Sequence, residues 1–463
     1  MGVRRGHSRA SHVGVLRARK IAEAPVQYGP GGGVQPVKDG AVVRTVSDPG
    51  GGVPFSSASD IQALINANGS NTIFVASATG TYLNFRGIIY GNKHPRFYFP
   101  GAATSYSIEG AGSLNELGLQ GNTNGLEVYG GTWKNYATAA SSFGAPIVAV
   151  GPSIIQDAVF TLNGFTGLEC QGTTPGAAFL VSHCRFLTNG RYNINGNDGG
   201  AGVRYQPTLE YCLLEDGNSN LNDPGGNAGC MKFNHTDGFT MRYCWSKANH
   251  GFGAWGDFDN LNLHWHDNVV ENNIGLSPVP GAGGMFCEVN SGGAVIEHNY
   301  VIGNGDASNA NYPFNGVQII ISNSPCDGSG PNPLNLRSEI RYNDIDASNF
   351  QSPIVLYNHS SHPDSQRTRN WYVHHNRMTM RGASGRSRVG LSDVCTAGSA
   401  KEGDIGTSPG SPGLCLFDFN EYHVADINGS YWNHDISRVN PGARSFASFQ
   451  SKGQEANGTV VPI

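Results

Sequence analysis

Glu288 stands in a short apolar run, "MFCEVN" (285–290), and Asp257 and Asp259 hold a similar place in "AWGDFDN" (254–260). Two carboxylates brought close together repel, and one of them then keeps its proton to a higher pH. That is the usual way to set a general acid beside a base or nucleophile. A carboxyl separation near 5 Å suits a retaining glycosidase, and a wider one an inverting enzyme. The run one repeat earlier, "MKFNHTD" (231–237), offers Lys232, Asn234 and His235, and the later one offers Asn290. Trp255 could stack on a sugar face or serve in a core. For any of these residues to meet, segments about thirty residues apart must lie side by side.

The chain supplies such an arrangement by repetition. "LEYCLLEDGN" (209–218), "MRYCWSKANH" (241–250), "WHDNVVENNI" (265–274), "IEHNYVIGNG" (296–305), "IRYNDIDASN" (340–349) and "VHHNRMTMRG" (373–382) align on one column, which holds Cys212, Cys244, Asn268, Asn299, Asn343 and Asn376. Cys184 belongs to it, and weaker members extend it to Gly131, Asp157 and Asn420. Three residues before the column stand Leu209, Met241, Trp265, Ile296, Ile340 and Val373, all apolar. Two before it stand Glu210, Arg242, His266, Glu297, Arg341 and His374, all polar. This is strand alternation about a fixed corner. Stacked coils of about 25–30 residues bury together an apolar face that no single coil can cover. Asn at the corner tolerates left-handed φ and can bond the amide of the next coil. The Cys residues share that column, which makes them small buried fillers rather than ligands.

These columns resemble the right-handed parallel β-helix repeat family, which includes carbohydrate-active proteins and phage tail spikes. The expected fold is all-β, a right-handed parallel β-helix with an N-terminal capping helix and an extended N-terminal arm. Residues 1–50 read as a basic Gly/Pro-rich arm, 51–125 as the cap and first coils, 126–425 as the regular helix and 426–463 as an irregular tail. "SSASDIQALINANG" (56–69) reads as the capping helix, with Ser59 and Gln62 at capping-box spacing, Ile61, Leu64 and Ile65 on one face and Gly69 as its stop. "RSFASFQSKGQEANG" (444–458) is similar to the terminal segment that follows the coils in bacterial β-helix proteins. Long gaps place insertions near 305–316, 324–337 and 382–413. Counting back from the corner, Asp257 and Glu288 both lie eleven residues before it, and Asp259 and Asn290 nine before it. Asp257 and Glu288 should then project from adjacent coils about 5 Å apart, with Asp259 about 7 Å along the strand.

The resemblance implies a glycan partner. β-Helix hydrolases use clustered Asp residues from neighbouring coils. β-Helix lyases use a basic residue, a role open to Lys232 or His235, often with calcium. Asp257, Asp259 and Glu288 are the candidate catalytic residues, and Lys232, Asn234, His235, Trp255 and Asn290 the candidate substrate contacts. The bland alternative is that outward carboxylates merely keep a solenoid face soluble.

Composition limits the rest. Gly makes up 65 of 463 residues and charged residues 14%, which suits many short strands joined by turns. The net charge of −5 gives no global basic field for nucleic acid. No run of about 20 apolar residues offers a membrane span. Arg4, Arg5, Arg9, Arg17, Arg19 and Lys20 make the start basic, yet no apolar core follows them as a secretory signal requires. A basic arm without an export signal resembles a phage tail protein. The arm would dock to other tail proteins, trimers are common in that class, and the helix would meet host-surface polysaccharide. A secreted lyase or glycosidase and a non-catalytic binding solenoid are the other readings.

No cofactor is required. "DGNSNLNDPGG" (216–226) starts like a calcium loop at Asp216, Asn218 and Asn220 but lacks the Gly at position six and the closing Glu. His264, His266, His359, His362, His374 and His375 suggest zinc less than an ion-pair ladder, because Glu210, Arg242, His266, Glu297, Arg341 and His374 alternate in charge between coils. Nine Cys make a complete disulfide framework improbable, and Cys395 with Cys415 is the one candidate pair.

Overall fold

A computed structural model describes residues 43–121, 123–223, 228–275, 282–305, 316–322, 336–347, 352–358, 368–382, 389–393, 415–433 and 445–463. The chain winds as a right-handed parallel β-helix with three long parallel sheets of 13, 12 and 13 strands. One coil shows the plan. Thr240–Arg242 lies in the first sheet, Trp245–Lys247 in the third and Ala254–Gly256 in the second, and His264–His266 then returns to the first.

Register stacks like on like. Met241 pairs with Trp265, Trp265 with Ile296, Ile296 with Ile340, Ile340 with Val373 and Val373 with Phe417. All six are buried. Each fully buried aliphatic or aromatic side chain of this kind contributes roughly 1.5–3 kcal/mol.

The corner column is a hydrogen-bonded file. Asn268 Nδ2 donates to Asn299 Oδ1 (3.0 Å), Asn299 to Asn343 (3.0 Å), Asn343 to Asn376 (2.9 Å) and Asn376 to Asn420 (3.0 Å). Cys184, Cys212 and Cys244 continue it, fully buried, with thiols directed at backbone carbonyls. One coil further back the position belongs to Ala158 rather than Asp157: the amide of Arg185 bonds the Ala158 carbonyl just as that of Leu213 bonds Cys184. Asp157 lies one residue earlier and receives Arg44 through both the backbone N–H (2.9 Å) and the guanidinium (3.0 Å). The other two corners carry files of their own, Asn249–Asn273–Asn304–Gln318 and Thr236–Asn260–Asn290.

Both ends are closed. The capping helix runs Ile61–Ala67 with Ile61 and Ile65 buried beneath it. Its N-cap is Asp60, which accepts from the Ala63 N–H at 2.9 Å, and not Ser59, whose hydroxyl accepts from Ser56 N–H. Gln62 has another task. Its amide exchanges two 2.8 Å hydrogen bonds with the backbone of Ile89, so it satisfies the edge strand of the second sheet. The helix ends at Asn68, one residue before the expected Gly69. At the far end, buried Glu455 terminates the corner file by accepting from Asn420 Nδ2 (2.7 Å) and Tyr422 Oη (2.6 Å). Thr459–Pro462 then adds the last strand of the third sheet.

Two expected boundaries shift. Residues 43–50 belong to the body, since Val46 is buried and bridges Gly101. The 382–413 segment is not wholly an insertion, because Val389–Asp393 pairs in register in the second sheet. The rest of the 1–50 arm, most of the expected insertions, and Cys395, His359 and His362 lie outside the described residues.

Candidate functional site

The outer face of the second sheet carries the candidate chemistry. Its strands point Cys170, Phe233 and Cys287 inward, so the residues between them face out. One outward row runs Glu169, Asn195 and Lys232 in direct register, followed by Trp255 and Phe286 in the next coils. A parallel row begins with Gln171 and Asn197. It continues through Asn234 and Asp257 to Glu288, which pairs with Ser322. Gly256 pairs with Cys287, so Asp257 and Glu288 follow on neighbouring coils whose backbones are about 4.8 Å apart.

Lys232 links the rows. Its ammonium lies 2.7 Å from Asp257 Oδ2 and 4.0 Å above the Trp255 ring, in an almost fully buried position. A cation held over an indole with a carboxylate at its tip is fixed by both contacts. Trp255 stacks on Phe286, with ring centres 5.4 Å apart. Glu288 is pushed up to about 8. Burial is the largest cause and the negative Asp257 the next, with Lys232 and the Trp255 indole pulling weakly the other way. At neutral pH Glu288 therefore retains a proton beside Asp257.

A cavity of about 410 Å³ opens beside this pair, over the coils of Glu169, Asn195 and Lys232. Asn195 Nδ2 lies 2.9 Å from each Glu169 oxygen and Asn197 Nδ2 2.6 Å from Oε1. Burial nevertheless outweighs these amide bonds and raises Glu169 to about 7. Arg191 lies over the Phe165 ring at 5.1 Å and also lines the cavity.

Asp259 does not join this group. The strand ends at Gly256, and Asp259 adopts a left-handed φ of 61° that turns it to the third corner. There it receives Arg204 (2.6 Å), Ser291 Oγ (2.6 Å) and His235 Nδ1 (3.2 Å). Burial pushes Asp259 up, but these three hydrogen bonds prevail and hold it at about 2. Its bond in turn raises the His235 pKa. Asn290 lies in the buried corner file, bonded to Asn260 Nδ2 (2.8 Å) and to the Gly256 carbonyl (3.1 Å). Thus Lys232, Asn234, Trp255, Asp257 and Glu288 share one face, Asp259 and His235 form a second cluster, and Asn290 is interior.

Glu169, Asn195, Asn197 and Arg191 escape the sequence reading. A signal for Glu169 exists: "LECQ" (168–171) sets an acid beside an inward Cys, as "FCE" (286–288) does, although Glu169 precedes its Cys and Glu288 follows its own. It lies four coils away from Glu288, beyond a search for carboxylates in adjacent coils.

Other polar clusters among the described residues are spent on structure. Asn218 Nδ2 donates to the Asn222 and His250 carbonyls, and Asn220 Nδ2 to that of Gly164, while Asp216 meets His250. The first-sheet column forms ion pairs, Arg242 with Glu210 and Arg341 with Glu297 at 2.7 Å. No group of three His, Cys, Asp or Glu side chains able to hold a metal ion occurs among the described residues, and no helix there is long and apolar enough to cross a membrane.

Comparison with protein-family models, with curated proteins and with solved structures finds no match to this chain.

Proposed function

We propose that the outer face of the second sheet binds a chain of sugars, and that Asp257 and Glu288 cleave it, with Glu288 as general acid and Asp257, held by Lys232, as its partner carboxyl. The observation that carries this reading is the pair itself: two carboxyls on adjacent coils, one raised above its ordinary range by burial and by its neighbour and the other fixed by Lys232. Glu288 would give its proton to the glycosidic oxygen as the bond to the anomeric carbon breaks, and a water molecule that passes its proton to Asp257 would form the new bond to that carbon. The sheet supports extended ligands because its rows continue from coil to coil. The basic stretch from Arg4 to Lys20 supports a virion-tail setting, in which the arm docks to tail proteins and the helix meets host-surface polysaccharide.

The test is cleavage of a broad glycan panel by the wild-type chain, by D257N and by E288Q, with circular dichroism to verify folding. Cleavage by the wild type that both folded variants lose supports the catalytic roles. A wild-type protein that binds glycans but cleaves none leaves a binding groove without chemistry. One that neither binds nor cleaves ends the reading altogether.

A further inference from the structure

The cavity beside Glu169 has a composition that the carboxylate pair does not explain. Its walls carry Gln120, Gln171, Asn195, Asn197 and Asn234, so carboxamides outnumber charges. A carboxamide donates and accepts with no net charge, which matches a hydroxyl-rich ligand rather than an ion. Asn234 Oδ1 is buried in this wall and has no hydrogen-bond partner among the described residues. A buried acceptor left unpaired costs about 1–3 kcal/mol, so the site gains by receiving a donor there. Phe143 lies at the rim, half-exposed at 51%, and Phe165 is held on the same wall under Arg191. An amphipathic ring with one apolar face and a fringe of hydroxyls satisfies both kinds of wall.

We propose that this cavity is a recognition subsite for an uncharged sugar ring, separate from the Asp257–Glu288 pair and serving the same glycan. The inference rests on the glycan reading of the groove and adds a position, a ligand class and a direction. Glu169 lies three coil spacings from Asp257, about 14 Å along the helix axis. The bound chain therefore runs parallel to that axis, and a ligand must be several sugars long to reach both places. Glu169 and Asn234 take hydroxyl protons, Asn195 and Asn197 orient Glu169, and Phe143 covers the ring. Among the described residues the charged groups that line the cavity with Glu169 are Arg191 and, two coils on, Lys232, the latter already paired with Asp257.

The experiment uses the full chain carrying E288Q, so that ligands stay intact, and measures binding by calorimetry. The probes are neutral and uronate-containing oligosaccharides of increasing length. Longer neutral oligosaccharides should bind, and Asn234→Ala, Asn197→Ala and Phe143→Ala should each weaken them about three- to tenfold. The shortest fragments, which reach only the carboxylate pair, should be unaffected by Asn197→Ala and Phe143→Ala. Phe143 is exposed, so its substitution keeps the test valid if the Asn variants misfold. Binding that all three variants leave unchanged overturns the subsite and spares the groove. Binding of uronate oligosaccharides alone, lost in Arg191→Gln, overturns the uncharged class. No binding of any probe, together with no cleavage by the wild-type chain, overturns the groove reading and the subsite with it.

Discussion

The corner files and the outer face of the second sheet are built on the same coils but obey opposite rules. In the corner file Asn299, Asn343 and Asn376 each meet another Asn above and below, so each of their amides donates forward and accepts from behind. Burial costs nothing further there, because each polar atom is satisfied by its copy in the next coil. In one outward row of the second sheet the residue type changes at every coil, from Glu169 to Asn195, Lys232, Trp255 and Phe286. Two carboxyls on that face are lifted well above their ordinary range, and an acceptor of Asn234 is unpaired among the described residues. Repetition marks what holds this solenoid together. The first-sheet row also changes from coil to coil, but its charges pair with one another, whereas the second sheet keeps carboxyls raised by burial and, among the described residues, an unpaired acceptor.

That contrast can be broken in order of expected effect. Asp257→Asn or Glu288→Gln should lower glycan cleavage by about 10²–10⁴-fold with the fold retained, read as kcat/KM on any cleaved substrate. Asn299→Ala, in the file, should do the reverse. It strands the buried Asn268 amide and the Trp265 carbonyl, costing on the order of 3 kcal/mol in urea unfolding while leaving the groove residues in place. Asp259→Asn comes next: it weakens the Arg204–His235–Ser291 contacts and should cost about 1–2 kcal/mol in stability, with cleavage changed little. Arg381→Ala, which removes a half-exposed partner of Asp346, should move stability by no more than about 0.5 kcal/mol.

The fold was legible because its signal repeats. Trp265, Ile296 and Ile340 recur at one offset from Asn268, Asn299 and Asn343, and any one of them would have meant little alone. The adjacency of Asp257 and Glu288 follows from the same count. Asp157 was displaced by one because its coil carries Ala158 at the corner, where no polar residue announces the column. Asp259 was misplaced for a different reason. Period-2 counting continues a strand past Gly256, whereas the chain turns at a left-handed Asp259. The Thr236–Asn260–Asn290 file was the available sign of that turn, and reading Asn290 as a ligand contact concealed it. Glu169 and its amides were out of reach, because their meeting with Lys232 depends on the register of three coils at once.

The account depends most on Glu288 keeping its proton above the ordinary carboxyl range beside Asp257, and this can be measured without a substrate. Difference infrared spectroscopy of the wild-type chain against E288Q isolates the Glu288 carboxyl as pH is raised. Its folded pKa lies above the ordinary 4.5, so the folded state keeps a proton that the unfolded state has lost. Stability relative to E288Q should accordingly fall as pH rises from 4.5 to about 8. The account predicts a protonated-carboxyl band that disappears near pH 8 and does so at lower pH in D257N, where the neighbouring charge is gone. Ionisation of Glu288 near 4.5 in both proteins would contradict it.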